Sequence, residues 1–169
     1  MKIKFNVPEE LSKGVKILSE KGYGVEIADN GYPVSAVKKE GLNGFKIEAK
    51  ESGAVIYYDT VSRFFYALSH VPEKNGAAFN LEKHTSAERV GLMRDCARNA
   101  VLSVKGAKDL VAVLALTGYN YLELYAEDLM EIEKYPQLGQ ARGRYKGEEI
   151  KDIVSYAAAF GVEVVPCIQ

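Results

Sequence analysis

The chain has 169 residues, 47% of them hydrophobic and 27% charged, which is the composition of a folded globular protein and excludes a disordered one. Net charge is −1, and residues 1–83 carry 12 Lys/Arg against 11 Asp/Glu while residues 84–169 carry 10 against 12. That balance implies no basic face, so neither nucleic acid nor a membrane surface is expected as a partner.

Met1 to Pro8 is short and strand-like, without a signal-peptide core, and no apolar run reaches bilayer length. Cys96 and Cys167 each end an apolar run. They read as reduced, buried thiols, with a disulfide or a catalytic thiol as the alternatives. A cytoplasmic location is the expectation.

Lys2 to Asn6 alternates like an edge strand, and Pro8 suits a first helical turn. Leu11, Val15 and Leu18 recur at helical spacing before Gly22. Four strand-like runs follow, Val25–Ala28, Val34–Lys38, Phe45–Ala49 and Ala54–Tyr58, punctuated by Asn30-Gly31, Gly41 and Ser52-Gly53. A helix then carries Phe64, Phe65, Leu68 and Val71 on one face, and Ala77–Leu81 reads as a last strand. The aromatic pairs Tyr57-Tyr58 and Phe64-Phe65 fit core packing better than a sugar-stacking surface. An antiparallel sheet with helices on one face is the α+β architecture expected for residues 1–84.

Beyond His84–Glu88 the rhythm becomes strand, helix, strand, helix, strand. The spacing predicts strands at Val90–Cys96, Tyr121–Ala126 and Val162–Ile168. Helices are predicted over Ala107–Leu116 and Glu148–Phe160, the latter ended by Gly161. Such alternation predicts a parallel sheet with right-handed crossovers. A closed (β/α)₈ barrel needs about 250 residues, so residues 85–169 are expected to be a truncated barrel segment of three strands and two helices.

In such barrels chemistry gathers at the carboxyl ends of the strands. The three runs end at Asp95-Cys96-Ala97-Arg98-Asn99, at Glu127-Asp128 and at Gln169. Arg98 offers a planar fork of donors suited to sugar hydroxyls or a carboxylate. Glu127 and Asp128 offer acceptors, for hydroxyls or for a histidine. A structural ion pair or helix cap is the competing reading of the same three residues.

The stretch from Gly91 to Asn99 resembles the first barrel strand of family 20 glycoside hydrolases: a Gly, an apolar run, Asp, two small residues, Arg, then His or Asn. Gly118 to Asp128 resembles the family's second strand, which ends in an acid pair. Tyr145 to Gln169 resembles its third unit, with Val164-Val165-Pro166-Cys167-Ile168-Gln169 as the strand. The likeness covers residues 88–169 and implies an exo-β-N-acetylhexosaminidase acting on β-N-acetylhexosaminide glycans. Residues 1–84 would be the family's non-catalytic N-terminal domain.

By that resemblance Arg98 grips hydroxyls of the non-reducing sugar, Glu127 supports a histidine relay to the catalytic acid, and Asp128 is the second acid of the pair. Glu at 127, where the family has Asp, leaves the relay role open between Glu127 and Asp128. Asp95 is expected to brace the barrel or Arg98, and no role passes to Glu123 or Tyr125. The implied mechanism is substrate-assisted retention, in which an Asp-Glu dipeptide on the fourth strand orients the acetamide and protonates the leaving oxygen. No Asp-Glu dipeptide occurs in this chain, so no catalytic residue is expected in it and the isolated chain is expected to be inactive.

No phosphate loop, HExxH or metal-spaced Cys/His cluster is present, so neither metal nor cofactor is expected. His70 and His84 are expected to be ordinary surface or boundary residues. The competing view is a self-contained, non-enzymatic carbohydrate-binding or interaction module, which would be a compact monomer. A truncated barrel would instead expose sheet edges and self-associate through them.

Overall fold

A computed structural model describes residues 1–98 and 100–168. Asn99 and Gln169, which belong to the motifs quoted above, lie outside the described residues. The first unit runs β1 (Lys2–Asn6), α1 (Glu9–Lys21), β2 (Glu26–Ile27), β3 (Tyr32–Lys38), β4 (Gly44–Lys50), β5 (Gly53–Tyr58), α2 (Val61–Glu73) and β6 (Phe79–His84). The second runs β7 (Gly91–Asp95), α3 (Val104–Leu116), β8 (Tyr121–Tyr125), α4 (Gly147–Ala158) and β9 (Glu163–Cys167). Among the described residues no helix is long and apolar enough to cross a membrane.

The first sheet has the order β2-β1-β3-β5-β4-β6 and is mixed, which corrects the expectation of an antiparallel sheet. β1 runs parallel to β2 and to β3, and β3 parallel to β5; only β4 is antiparallel to its neighbours β5 and β6. Nor is β1 an edge strand, because the two-residue β2 lies outside it. The reason lies in Asn30-Gly31, which has the composition of a hairpin turn. The segment instead passes over the end of β1, where a side chain on Gly31 would meet the Ile3 backbone at 2.6 Å. β2 and β3 thereby flank β1 and share its direction. The β4–β5 hairpin then places β5 between β3 and β4.

Alternation along these strands sorts the faces. Ile3, Val34, Phe45, Ile47, Ala54, Ile56 and Tyr58 point inward and are buried, while Lys2, Lys46, Glu48, Lys50 and Glu82 lie on the other face. Both helices cover the inward face, α1 with Leu11, Val15 and Leu18 and α2 with Phe64, Phe65, Leu68 and Val71. Pro8 precedes α1, Glu9 and Glu10 occupy its first turn, and Gly22 closes it at φ 74°, a conformation glycine adopts without steric cost. Three of the four paired aromatics, Tyr58, Phe64 and Phe65, are core residues. Tyr57 lies on the outer face and donates to Glu48 at 3.4 Å.

The second sheet is parallel, in the order β7-β8-β9. Leu122 and Leu124 on β8 face α3 and α4 and are fully buried. The amino ends of the strands are stitched by Asn120, whose side chain donates to the Glu88 carbonyl at 2.7 Å and accepts from the Val90 amide at 2.8 Å. Across β8, Arg89 reaches Glu163 at 3.0 Å. Ser103 caps α3 by accepting from the Gly106 amide at 3.1 Å. Glu149 reaches back to the Lys146 amide at 2.8 Å to start α4.

The two units meet through their helices, giving layers of sheet, helices, helices, sheet. Phe65 of α2 packs on Phe160 with ring centroids 4.9 Å apart. Gly161, at φ 66°, comes so close to α2 that a Cβ there would meet the Ser62 amide nitrogen at 2.7 Å. Gly14, in the middle of α1, touches the second unit as well: a Cβ would lie 2.3 Å from the Phe65 ring and 2.5 Å from the Ala159 carbonyl oxygen.

Helix propensity alone would make Gly14→Ala stabilising by about 1 kcal/mol. The close approach reverses the sign, and a loss of about 1–3 kcal/mol is expected from overpacking. A lowered urea midpoint checks this; an unchanged or raised midpoint would contradict the contact.

Candidate functional site

The carboxyl ends of β7, β8 and β9 lie side by side because the pairing is in step: Asp95 opposes Tyr125, and Tyr125 opposes Cys167. The Cys96 amide donates to the Tyr125 carbonyl at 3.0 Å, and the Ala126 amide to the Cys167 carbonyl at 3.0 Å. These bonds carry the parallel ladder one residue beyond the strands and deliver Arg98 and Glu127 to the same rim.

Asp95 organises the first corner. Its Oδ1 accepts from the Ala97 amide at 2.9 Å and the Arg98 amide at 3.2 Å, and its Oδ2 lies 3.3 Å from the Arg98 guanidinium. The guanidinium also sits 5.3 Å from the centroid of the Tyr125 ring, within cation–π range. Arg98 remains 70% exposed, so most of its donor fork faces outward.

Tyr125 belongs to the face opposite Leu122 and Leu124, the side away from the helices. Its phenol donates to Glu127 Oε1 at 3.0 Å. That hydrogen bond, then burial and the Glu127 charge, push the phenol above the ordinary tyrosine range, against a smaller opposing pull from Arg98. Glu127 itself takes φ 45°, a left-handed conformation that non-glycine residues seldom adopt and that recurs at functional sites. It lets the chain turn sharply off β8, with the Leu129 amide bonding the Ala126 carbonyl at 2.8 Å.

The acids do not share one environment. Asp128 Oδ1 accepts from Arg142 at 2.8 Å, whereas Glu127 Oε2 stands 4.0 Å from the same guanidinium. Arg142 comes from the connection between β8 and α4. That connection is long for a βα loop, yet it is anchored. Met130 and Tyr145 form a parallel bridge at its base, and Arg144 donates to the carbonyls of Pro136 and Leu138 and to Glu131 at 2.7, 2.8 and 3.1 Å. Tyr145 is buried beside Cys96, donates to the Leu102 carbonyl at 2.6 Å, and has its ionisation pushed up by burial first and Cys96 second.

Cys96 and Cys167 are free thiols, the first buried and the second half-buried. Burial and then Glu123 raise the Cys167 ionisation, which disfavours a reactive thiolate. Among the described residues no group of His, Cys, Asp and Glu is arranged to hold a metal ion.

Residues 89–169 match the model of the glycosyl hydrolase family 20 catalytic domain. The likeness to family 20 is carried by this stretch of the chain. A β-hexosaminidase from Emericella nidulans is 31% identical over 87 residues, a match spanning 47% of this chain and 14% of that protein. Among solved structures, a family 20 exo-β-N-acetylglucosaminidase from Vibrio harveyi, in complex with N-acetylglucosamine, superposes with a TM-score of 0.76 at 18% identity, over 97% of this chain and 32% of that one. A β-N-acetylhexosaminidase from Bacteroides fragilis gives 0.74 at 23%, over 98% and 39%. A Streptomyces plicatus β-hexosaminidase gives 0.76 at 20%, over 98% and 40%. The chain thus spans a minor part of each relative, and the shared fold extends over both of its sheets.

The family 20 motifs point to Arg98, Glu127 and Asp128, and the structure brings all three to one rim. They do not point to Tyr125, which joins Arg98 to Glu127, or to Arg142, which holds Asp128. The alternation of β8 carried a signal for Tyr125, since Tyr121, Glu123 and Tyr125 share the face opposite the leucines. Arg142 had none beyond the length of its loop.

Glu127→Gln removes the charge that disfavours the Tyr125 phenolate, so the Tyr125 ionisation should move down toward the ordinary tyrosine range. Ring-carbon NMR of labelled tyrosine, followed with pH, reads this directly; an unmoved titration would mean that the phenol does not bond Glu127.

Proposed function

We propose that this chain is the N-terminal portion of a retaining exo-β-N-acetylhexosaminidase, which removes terminal β-linked N-acetylglucosamine or N-acetylgalactosamine by substrate-assisted catalysis. The observation that carries the reading is Arg98 and Glu127 standing on one strand-end rim and linked through Tyr125.

Arg98 is the substrate-binding residue. Asp95 and the Tyr125 ring fix its plane, which reduces the ordering cost of binding, and its outward N–H groups are free to donate to sugar hydroxyls. Glu127 is the relay acid and Asp128 the structural one, because Arg142 already occupies Asp128. Among the described residues Glu127 accepts only a neutral phenol at close range, and it can take a second donor, the imidazole of a histidine, fixing its tautomer.

In the chemical step the substrate's acetamido oxygen bonds to the anomeric carbon as the bond from that carbon to the leaving oxygen breaks. A carboxylic acid gives its proton to the leaving oxygen. Water later opens the cyclic intermediate with retention. The acetamide-orienting Asp and the acid Glu form a dipeptide that this sequence does not contain, so the 169 residues alone are proposed to be inactive. Residues 1–84 serve as a non-catalytic support.

β7 and β9 have outer edges without a strand neighbour among the described residues, and Met93 and Leu92 on β7 are 56% and 37% exposed. We propose that the isolated chain self-associates through these edges. Sedimentation should give a dimer or larger; a monomer at every concentration would count against it.

In the full-length enzyme, Arg98→Ala should lower kcat/KM on an aryl β-N-acetylglucosaminide by about 10- to 100-fold, the loss expected for hydrogen bonds from a charged donor. Glu127→Gln should cost more than Asp128→Asn. Near wild-type rates in Arg98→Ala, or the reverse order of the two acids, would contradict the assignment.

A further inference from the structure

A cavity of about 260 Å³ opens between the two units, with Arg63, Tyr66, Lys83, Thr85, Gly118 and Asn120 in its wall. It lies by Val90 and Asn120, at the amino ends of β7 and β8, the far end of these strands from Arg98 and Glu127.

Lys83 lies on the inward face of β6, in register with buried Phe45, where the strand pattern calls for an apolar residue. Its ammonium donates to the Tyr66 hydroxyl at 2.7 Å, lies 3.3 Å from Nε2 of His70, and stands 4.6 Å from the Tyr66 ring centroid. All of these neighbours are neutral. His70, expected to be a surface or boundary residue, is only 19% exposed. Burial first, then the Lys83 charge, push its ionisation down, against a smaller opposing pull from Glu73.

Arg63 supplies a second cation and is paired with Asp59, whose Oδ2 also accepts from the Gly44 amide at 3.1 Å. Glu82 and His84, on the adjoining strand end, pair with each other at 2.9 Å. Among the described residues no carboxylate pairs with Lys83, so the two cations of the wall face a single carboxylate. A partly desolvated ammonium held only by neutral groups is costly unless an anion completes its shell.

We propose that this cavity binds a small oxyanion-bearing molecule, a phosphate or a carboxylate, anchored by Lys83 with the unused part of the Arg63 fork as second donor. The site is separate from the sugar-facing rim and does not depend on the glycosidase reading.

The test is a titration of the full chain with inorganic phosphate and, separately, with acetate, against sodium chloride at matched ionic strength, followed by amide proton–nitrogen spectra. Saturable shifts at Gly44, Thr85 and Gly118, with Ala97 and Leu129 unmoved, are expected for at least one probe, and the probe that acts names the class. Lys83→Gln should weaken that binding about tenfold or more, and Lys83→Arg should retain it. Shifts that match chloride, that fail to saturate or that cluster at the rim would overturn the proposal. So would undiminished binding by Lys83→Gln. The wild-type map decides the matter even if that variant does not fold.

Discussion

The parallel pairing of β8 with a strand on each side is the constraint from which the rim follows. Parallel strands end on the same side, so Asp95, Tyr125 and Cys167 stand in a row. The residues just beyond them are then presented together. Reversing or shifting one strand would send Arg98 and Glu127 to different faces or depths. The helices enforce the direction, since a right-handed crossover of this length returns the chain to the end where it began. Asn120 and the Arg89–Glu163 pair hold the opposite end in step.

On that frame the polar groups arrange themselves in a chain: Asp95 to Arg98, Arg98 over Tyr125, Tyr125 to Glu127, and Arg142 to Asp128. All of these groups are partly exposed, so none of the ion pairs is a large contributor to stability. Their effect is on orientation. The left-handed backbone at Glu127 has the same effect: a local cost that turns one carboxylate toward Tyr125 and leaves the next to Arg142. Support comes from behind, where buried Tyr145 and the bridged base of the β8–α4 connection keep Arg142 in place. The first unit contributes through helix packing, with Phe65 against Phe160 and two glycines that allow the helices to close.

Periodicity made the second unit legible: an apolar-rich helix between two short strands leaves few alternatives, and the strand ends carry the motif residues. It made the first unit legible element by element but not in topology. Asn30-Gly31 has the composition of a hairpin turn, and only the proximity of Ile3 shows that the segment crosses over β1 instead. Lys83 was missed because the last predicted strand, Ala77–Leu81, stops short of it; β6 runs on to His84, and the register with Phe45 turns the lysine inward. Arg142 was hidden by its loop, since an irregular connection has no period from which a side chain's direction can be read.

We propose that Arg98 and Glu127 form one sugar-facing mouth. A crystal structure of the proposed full-length enzyme with N-acetylglucosamine bound tests it most directly. The terminal sugar is expected at the carboxyl ends of β7–β9, with hydroxyls within hydrogen-bond reach of Arg98 and a histidine against Glu127. A sugar seated elsewhere, with Arg98 closed onto Asp95 alone and no histidine near Glu127, would contradict it.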